Sequence, residues 1–142
     1  MDVARVVFAC VHNAGRSQMA AAWFNLLADP ARAVATSAGT EPAVRVHPEV
    51  AVVMQEVGVD LSGAEPALLD VARMQGAACV VTMGCGEACP VVPGVPLLDW
   101  PLPDPKGQDV EAVRAIRDAI AERVAAFVVE HGWGKSGPTG TM

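Results

Sequence analysis

The sequence predicts an α/β protein in which a parallel sheet is covered by helices on both faces. Short apolar runs, typical of buried strands, alternate along the chain with longer segments whose apolar residues recur at helical spacing. Strands that alternate with helices in this way pair in parallel. In such sheets the active site lies beyond the carboxyl ends of the strands, so the residues at those ends are candidates for function.

The predicted elements in the first half of the chain have clear boundaries. Asp29-Pro30 ends the first helix because the residue before a proline avoids helical angles. Pro48 fits the first position of the second helix, where its missing N–H costs nothing, and Gly58 ends that helix. The elements are a strand at 3–10, a helix at 17–28, a strand at 33–37 and a helix at 48–57.

The second half of the chain completes the alternation. We expect a short helix at 66–75, a buried strand at 78–83 and a short strand at 95–99. Asp109 is the expected N-cap of the last helix, which fades near residue 131. Four residues fall at the carboxyl ends of the predicted strands and should converge: Cys10, Ser37, Gly84 and Asp99.

The composition favours one domain. The chain has 142 residues, 52% of them apolar, which is enough to bury a single core. We expect one domain over residues 1–132, followed by a disordered tail at 133–142. The net charge of −6 argues against nucleic acid as a partner, and no apolar run approaches a membrane span. With no signal peptide in the sequence, we expect a cytoplasmic protein, whose four cysteines suit catalysis or metal binding better than disulfides.

The stretch Cys10-Val11-His12-Asn13-Ala14-Gly15-Arg16-Ser17 has the chemistry of an oxyanion site. Its backbone N–H groups can converge on one point at a helix N-terminus, where the helix dipole adds positive potential. Arg16 can offer two parallel donors to a tetrahedral oxyanion. The same field favours the reactive thiolate form of Cys10, and Gly15 lets the backbone turn closely around the anion.

Several residues of this stretch have two interpretations each. Asn13 either orients the loop through its side chain or is an ordinary turn asparagine. Ser17 either hydrogen-bonds Cys10 or simply begins the helix. His12 either belongs to the anion-binding loop or faces solvent. The loop residues expected to bind the oxyanion or stabilise the loop are Val11, His12, Asn13, Ala14, Gly15 and Ser17.

A thiolate that attacks an oxyanion also needs an acid to protonate the leaving oxygen. Asp104 is the candidate, because the prolines on both sides of it would hold its carboxyl group in a fixed place. The alternative interpretation is an ordinary turn aspartate, since Asp-Pro is common in turns. Asp99 is a competing acid, but it lies at a strand end and would be less mobile.

The segment Cys85-Gly86-Glu87-Ala88-Cys89 carries a second pair of thiols, within disulfide reach if the segment is helical or forms a turn. A redox pair is the favoured interpretation: Cys10 forms a covalent adduct, Cys85 resolves it, and Cys89 takes over the disulfide. Structural thiols and zinc binding are the alternatives. Zinc needs about four ligands and the histidines are scattered, so no metal is predicted. Cys79 lies in a Val-rich strand and should be buried and inert.

Taken together, these motifs resemble one family. They are Cys10-x5-Arg16-Ser17 with Gln18-Met19-Ala20, Ser37-Ala38-Gly39, His47-Pro48, Cys85 and Cys89-Pro90, Asp99-Trp100, and Asp104-Pro105-Lys106-Gly107. The chain is similar over about residues 3–130 to the thioredoxin-coupled arsenate reductases with the low-molecular-weight protein tyrosine phosphatase fold. The resemblance implies a three-layer α/β structure whose four-stranded parallel sheet is flanked by helices.

The resemblance also implies arsenate as the substrate and a role for each reactive residue. Cys10 would be the nucleophile, Arg16 the oxyanion binder and Asp104 the general acid. Cys85 would attack the Cys10–arsenic adduct and expel arsenite. Cys89 would then form the Cys85–Cys89 disulfide that thioredoxin reduces. Glutaredoxin with glutathione, or mycothiol, are alternative reductants, and no cofactor is implied.

The chain departs from better-known members of this family in two places. Only three residues separate Cys85 from Cys89, which is a shorter interval. Ala21 replaces a glutamate that helps to hold a potassium ion in some members, so we do not predict that ion.

Two other functions compete with arsenate reduction. A phosphatase of phosphotyrosine or small phosphoesters would share Cys10, Arg16 and Asp104, but it has no need for Cys85 and Cys89. Tyrosine phosphatases of this fold carry aromatic residues after the acid, whereas this chain continues with Pro-Lys-Gly and contains no tyrosine. A non-catalytic arsenic-sensing or metal-binding module would use the thiols but would leave the oxyanion loop unexplained.

Overall fold

The computed structural model describes residues 3–83, 92–103, 105 and 107–135. Its strands are β1 (Ala4–Cys10), β2 (Ala33–Gly39), β3 (Cys79–Thr82) and β4 (Leu97–Asp99). Its helices are α1 (Arg16–Leu27), α2 (Pro48–Glu56), α3 (Val71–Met74) and α4 (Val110–Glu130). The strands are all parallel and form one sheet in the order β2-β1-β3-β4. With helices on both faces, this three-layer α/β arrangement confirms the predicted fold class.

The register of the sheet gathers the carboxyl ends of the strands at one edge. Cys10 pairs with Gly39 on β2, and Ala9 pairs with Thr82 on β3. Thr82 pairs in turn with Asp99 on β4. Strand β1 lies between β2 and β3, and its residues from Val6 to Cys10 are buried. Cys10, its last residue, is the one that lies at this edge of the sheet.

Alternate residues of β1 pack into two separate cores, as a strand covered on both faces requires. Phe8 lies in the larger core with residues of α1, α2 and α4, whereas Val7 lies in the smaller core with Met74 of α3. In the larger core the ring of Phe8 contacts those of Phe24 and Trp100, with centroids 6.0 and 5.8 Å apart. Helix α1 therefore packs through Phe24 against the strand that precedes it.

The predicted helix at 66–75 is wrong in extent, since only Val71–Met74 is helical. The chain before it pairs with the end of β2: Gly39 N donates to Ala67 O, and Leu69 N donates to Gly39 O, both at 2.8 Å. Those backbone groups are not available to a helix. Asp70 then caps α3 by accepting a hydrogen bond from Arg73 N at 2.8 Å, which sets the helix start.

Two residues that follow the predicted domain, Trp133 and Gly134, contact the chain around the end of α1. Asp29 N donates to Trp133 O at 2.8 Å, and Ala28 forms an isolated bridge with Gly134. The Trp133 ring packs on Phe24 with centroids 5.9 Å apart. Trp133 and Gly134 thus cover the end of α1, and residues 136–142 lie outside the described part.

The predicted helix boundaries hold where local capping decides them. Pro48 is the first residue of α2, and Asp109 caps α4 by accepting a hydrogen bond from Ala112 N at 2.8 Å. The strand predicted at 95–99 is shorter in the structure, where β4 is Leu97–Asp99. Strand β2 extends to Gly39, two residues past its expected end at Ser37. Among the helices in the described ranges, none is long and apolar enough to cross a membrane.

Arg117 joins α2 to α4 from a nearly buried position. Its Nη1 donates to Val53 O at 2.8 Å and to Glu56 Oε1 at 3.1 Å. Val53 O lies in the last turn of α2, where carbonyl groups lack helical partners. On the surface beside it, Arg114 hydrogen-bonds Glu56 and holds the pKa of that carboxyl group below its usual value. Arg117 therefore caps the end of α2 from a neighbouring helix.

We expect Arg117→Met to destabilise the fold by about 2 kcal/mol, because the Val53 carbonyl loses its donor in a partly buried site. Arg114→Met is the matched control, since its ion pair with Glu56 is exposed and surface pairs contribute less than about 1 kcal/mol. Urea unfolding of both variants measures the difference. Equal losses in the two variants would contradict the capping role of Arg117.

Candidate active site

The turn from β1 into α1 is built around Asn13. Asn13 has a φ of +51°, and among the described residues it is the only non-glycine with positive φ. Its side chain is fully buried. Asparagine tolerates this conformation because its short amide can hydrogen-bond locally. This residue turns the chain from the strand into the helix.

The carbonyl groups of the loop face the segment that follows β2. Glu41 N donates to Val11 O at 2.8 Å, Ala43 N to His12 O at 2.9 Å, and His47 N to Ala14 O at 2.9 Å. In a planar trans peptide the following N–H points opposite to the carbonyl. The N–H groups of His12, Asn13 and Gly15 therefore point away from that segment. This is the arrangement that the predicted oxyanion site requires.

The thiol of Cys10 is in contact with a hydroxyl group. Cys10 Sγ lies 2.8 Å from Ser17 Oγ, and Asn13 Nδ2 donates to the same Oγ at 2.7 Å. All three residues are buried. The interpretations of Asn13 as an orienting side chain and of Ser17 as a partner of Cys10 thus agree with the geometry. A hydroxyl group that donates to sulfur favours the thiolate over the thiol.

Arg16 begins α1 and is oriented from the other half of the chain. Its Nη1 donates to Leu102 O at 3.1 Å, and the residue is 7% exposed. No described side chain caps the N-terminus of α1. The first N–H groups of the helix and its positive dipole end are therefore presented beside Cys10. A cationic guanidinium and a helix N-terminus together suit a bound anion.

Gly15 allows a close approach of another part of the chain. A Cβ at this position would lie 2.6 Å from Cγ of Pro105. Pro105 is itself buried. The segment after β4 therefore packs directly onto the loop through the missing side chain of Gly15.

Gly39 is a second contact point, and it was not predicted as a site residue. It ends β2, and a Cβ there would lie 2.6 Å from Val11 O and 2.8 Å from Asn13 N. The backbone of the loop thus packs against the backbone of the neighbouring strand end. Its signal was the run Ser37-Ala38-Gly39 at a strand end, which marks a place where chains approach closely.

The other predicted site residues fall into two groups. Cys79 is buried in β3, as expected, and burial raises the pKa of its thiol. Asp99, the competing acid, accepts a hydrogen bond from Thr82 Oγ1 at 2.8 Å. Cys85, Cys89 and Asp104 lie outside the described residues. Among the described residues, the thiol of Cys10, the hydroxyl group of Ser17 and the guanidinium of Arg16 suit attack by sulfur on an anion at the start of α1.

The sequence model of one family, the low molecular weight phosphotyrosine protein phosphatases, matches residues 5–132. The chain belongs to this family. Its similar members include proteins named for a different reaction. One, from Halobacterium salinarum, is provisionally named an arsenate reductase and is 42% identical over 123 residues, covering 82% of this chain and 85% of that protein.

A second relative and a solved structure agree with that likeness. The glutaredoxin arsenate reductase of a Synechocystis species is 36% identical over 129 residues, covering 89% of this chain and 97% of that one. The structure of the thioredoxin-dependent arsenate reductase of Corynebacterium glutamicum superposes with a TM-score of 0.79 at 38% identity. That match covers 90% of this chain and 61% of the Corynebacterium chain.

We expect Gly15→Ala to weaken the binding of inorganic phosphate, a tetrahedral oxyanion, by about tenfold or more, since the new methyl group must displace Pro105 or the loop. Gly63→Ala is the matched control, because a Cβ there meets no atom within 4 Å. Isothermal titration calorimetry measures both affinities. If the two variants bind phosphate alike, the contact of Pro105 with the loop does not shape the site.

Proposed function

We propose that this protein reduces arsenate to arsenite. The observation that carries the proposal is the buried thiol of Cys10, 2.8 Å from Ser17 Oγ, in the loop that leads to Arg16 at the start of α1, where no described side chain caps the helix. Relatives at 36% and 42% identity, which match most of this chain, are named for this activity. The same geometry would suit any tetrahedral oxyanion, so the redox cysteines distinguish the reaction.

In the first step the Cys10 thiolate attacks arsenic, and one arsenate oxygen leaves as water after protonation. Arg16 and the N–H groups of residues 11–17 hold the remaining oxygens. Asp104 is the proposed proton donor. Two contacts of neighbouring described residues support this role, because Leu102 O binds Arg16 and Pro105 packs on Gly15. The chain is thus anchored to the loop on both sides of position 104.

In the second step the Cys85 thiolate attacks the sulfur of Cys10. The sulfur–arsenic bond breaks, its electron pair stays on arsenic, and As(V) leaves as As(III) in arsenite. A Cys10–Cys85 disulfide remains. Cys89 then attacks Cys85, which releases the Cys10 thiolate and leaves a Cys85–Cys89 disulfide. Two electrons from an external dithiol regenerate the enzyme.

Thioredoxin is the proposed reductant, because a protein disulfide such as Cys85–Cys89 is a substrate for its thiol pair. The Corynebacterium relative is named as thioredoxin-dependent, whereas the Synechocystis relative is named for glutaredoxin. Glutaredoxin with glutathione, or mycothiol, is therefore the alternative. Parallel assays with each reductant distinguish them.

A phosphatase is the second candidate, favoured by the family to which the chain belongs. It would use Cys10, Arg16 and Asp104 and form a phosphocysteine that water hydrolyses. It would leave Cys85 and Cys89 without a role. The two functions are separated by the products: a phosphatase releases phosphate without consuming reductant.

We expect Cys10→Ser, Cys85→Ser and Cys89→Ser each to abolish arsenate-dependent NADPH consumption with thioredoxin and thioredoxin reductase. Cys89→Ser should still release one arsenite per enzyme, because it completes the first disulfide. Cys79→Ala, which alters a buried thiol in β3, is the control and should turn over normally. Normal turnover by Cys85→Ser would refute the relay.

We expect Asp104→Asn to lower kcat by about 100-fold or more, since an amide cannot protonate the leaving oxygen. Asp99→Asn is the matched control for the competing acid, and it should keep most of the activity because Asp99 is held by Thr82. Single-turnover arsenite release from both variants measures the chemical step. A larger loss in Asp99→Asn would assign the acid to that residue instead.

A further inference from the structure

The side-chain amide of Asn13 has one possible orientation. Its Oδ1 lies 2.9 Å from the backbone N of Ala67. A backbone N–H can only donate, so the atom that faces it must be the oxygen. The amide nitrogen therefore faces Ser17 Oγ, at 2.7 Å. The segment that carries Ala67 thus determines which atom of Asn13 meets Ser17.

This orientation gives the hydrogen bonds a direction that ends at the sulfur. Ser17 Oγ accepts from Asn13 Nδ2 and keeps its own hydrogen, which it can donate to Cys10 Sγ, 2.8 Å away. A hydroxyl group that donates to sulfur stabilises the thiolate and not the thiol. With Ser17 as the donor to sulfur, the hydrogen bonds run from Ala67 N–H through Asn13 and Ser17 to Cys10.

Gln18 adds a second donor at the start of this chain. Its Nε2 lies 3.1 Å from Asn13 O, 3.2 Å from Asn13 Oδ1 and 3.2 Å from Glu65 O. All three are acceptors, so the nitrogen of the Gln18 amide must face them. Gln18 is 6% exposed, which removes competition from bulk water. It binds Asn13 and also joins the loop to the segment that contains Ala67.

We propose that Gln18 is a positioning residue that sets the reactivity of Cys10 through Asn13 and Ser17. Two effects act in the same direction. A donor to Asn13 Oδ1 polarises that amide and strengthens its N–H donation to Ser17. A donor to Asn13 O and Glu65 O holds the left-handed turn and keeps the Ala67 N–H in place. Gln18 itself contacts no reacting atom. Its role rests on the proposed function, in which Cys10 is the nucleophile.

The test measures the rate of Cys10 alkylation by iodoacetamide as a function of pH, followed on the Cys10 peptide by mass spectrometry. The thiolate alone reacts, so the midpoint of the profile reports its stability. We expect Gln18→Met, which keeps the length of the side chain but has no donors, to move the midpoint upward by about half a pH unit or more. Gln55→Met, at an exposed glutamine of α2, is the matched control and should not move it.

A double-mutant cycle separates positioning from general support of the loop. If Gln18 acts through Ser17, Gln18→Met produces no further shift in a Ser17→Ala background. The charged and titratable groups around the loop are unchanged in these variants: His12, Arg16, His47, Glu65 and Asp99. An unmoved midpoint in Gln18→Met, or an equal shift in both backgrounds, would overturn the proposal.

Two further measurements keep the result interpretable. The far-ultraviolet circular dichroism spectrum reports folding in every variant. If Gln18→Met does not fold, Gln18→Asn replaces it, because its amide is one methylene too short to reach Asn13 and should shift the midpoint in the same direction. The alkylation profile needs neither arsenate nor a reductant. If the wild-type protein does not reduce arsenate, the proposed function is refuted, whereas the positioning role of Gln18 is still tested by the alkylation profile.

Discussion

The buried amide of Asn13 is the interaction on which the site depends. A left-handed backbone costs a non-glycine residue roughly 1–2 kcal/mol, and burying an amide costs more unless it is hydrogen-bonded. Here the amide oxygen accepts from Ala67 N and from Gln18, and the amide nitrogen donates to Ser17. These bonds offset both costs. They also hold Ser17 against Cys10. The same hydrogen bonds therefore stabilise both the left-handed turn and the position of the hydroxyl group beside the sulfur.

Backbone contacts from distant parts of the chain hold the rest of the loop. Gly39 brings the end of β2 against the loop, and Gly15 receives Pro105 from the segment after β4. Leu102 O holds the guanidinium of Arg16. A chain with a net charge of −6 can still bind an anion because these contacts orient N–H groups and one cation toward a small volume. The positive potential of the site is local, and it exists only when the parts are assembled.

Elements set by local chemistry could be predicted from the sequence. Pro48 starts α2, Asp109 caps α4, and the apolar run of β1 is buried between two strands. The helix predicted at 66–75 was too long because part of its backbone pairs with Gly39, which is remote in sequence. The position of Trp133 likewise depends on rings of α1 and α4 that pack against it. Propensity cannot anticipate hydrogen bonds or packing contributed by another part of the fold.

The sequence by itself determined the class of fold, the position of Cys10 at a strand end and the position of Arg16 at a helix start, because periodicity and spacing are local properties. The tertiary structure alone decided why Gly15 and Gly39 lack side chains, which way the Asn13 amide points, and that Gln18 reaches it. Each of those facts depends on residues from 26 to 90 positions away or on a side-chain orientation set by such residues. Steric contact and hydrogen-bond direction exist only between groups that folding has brought together.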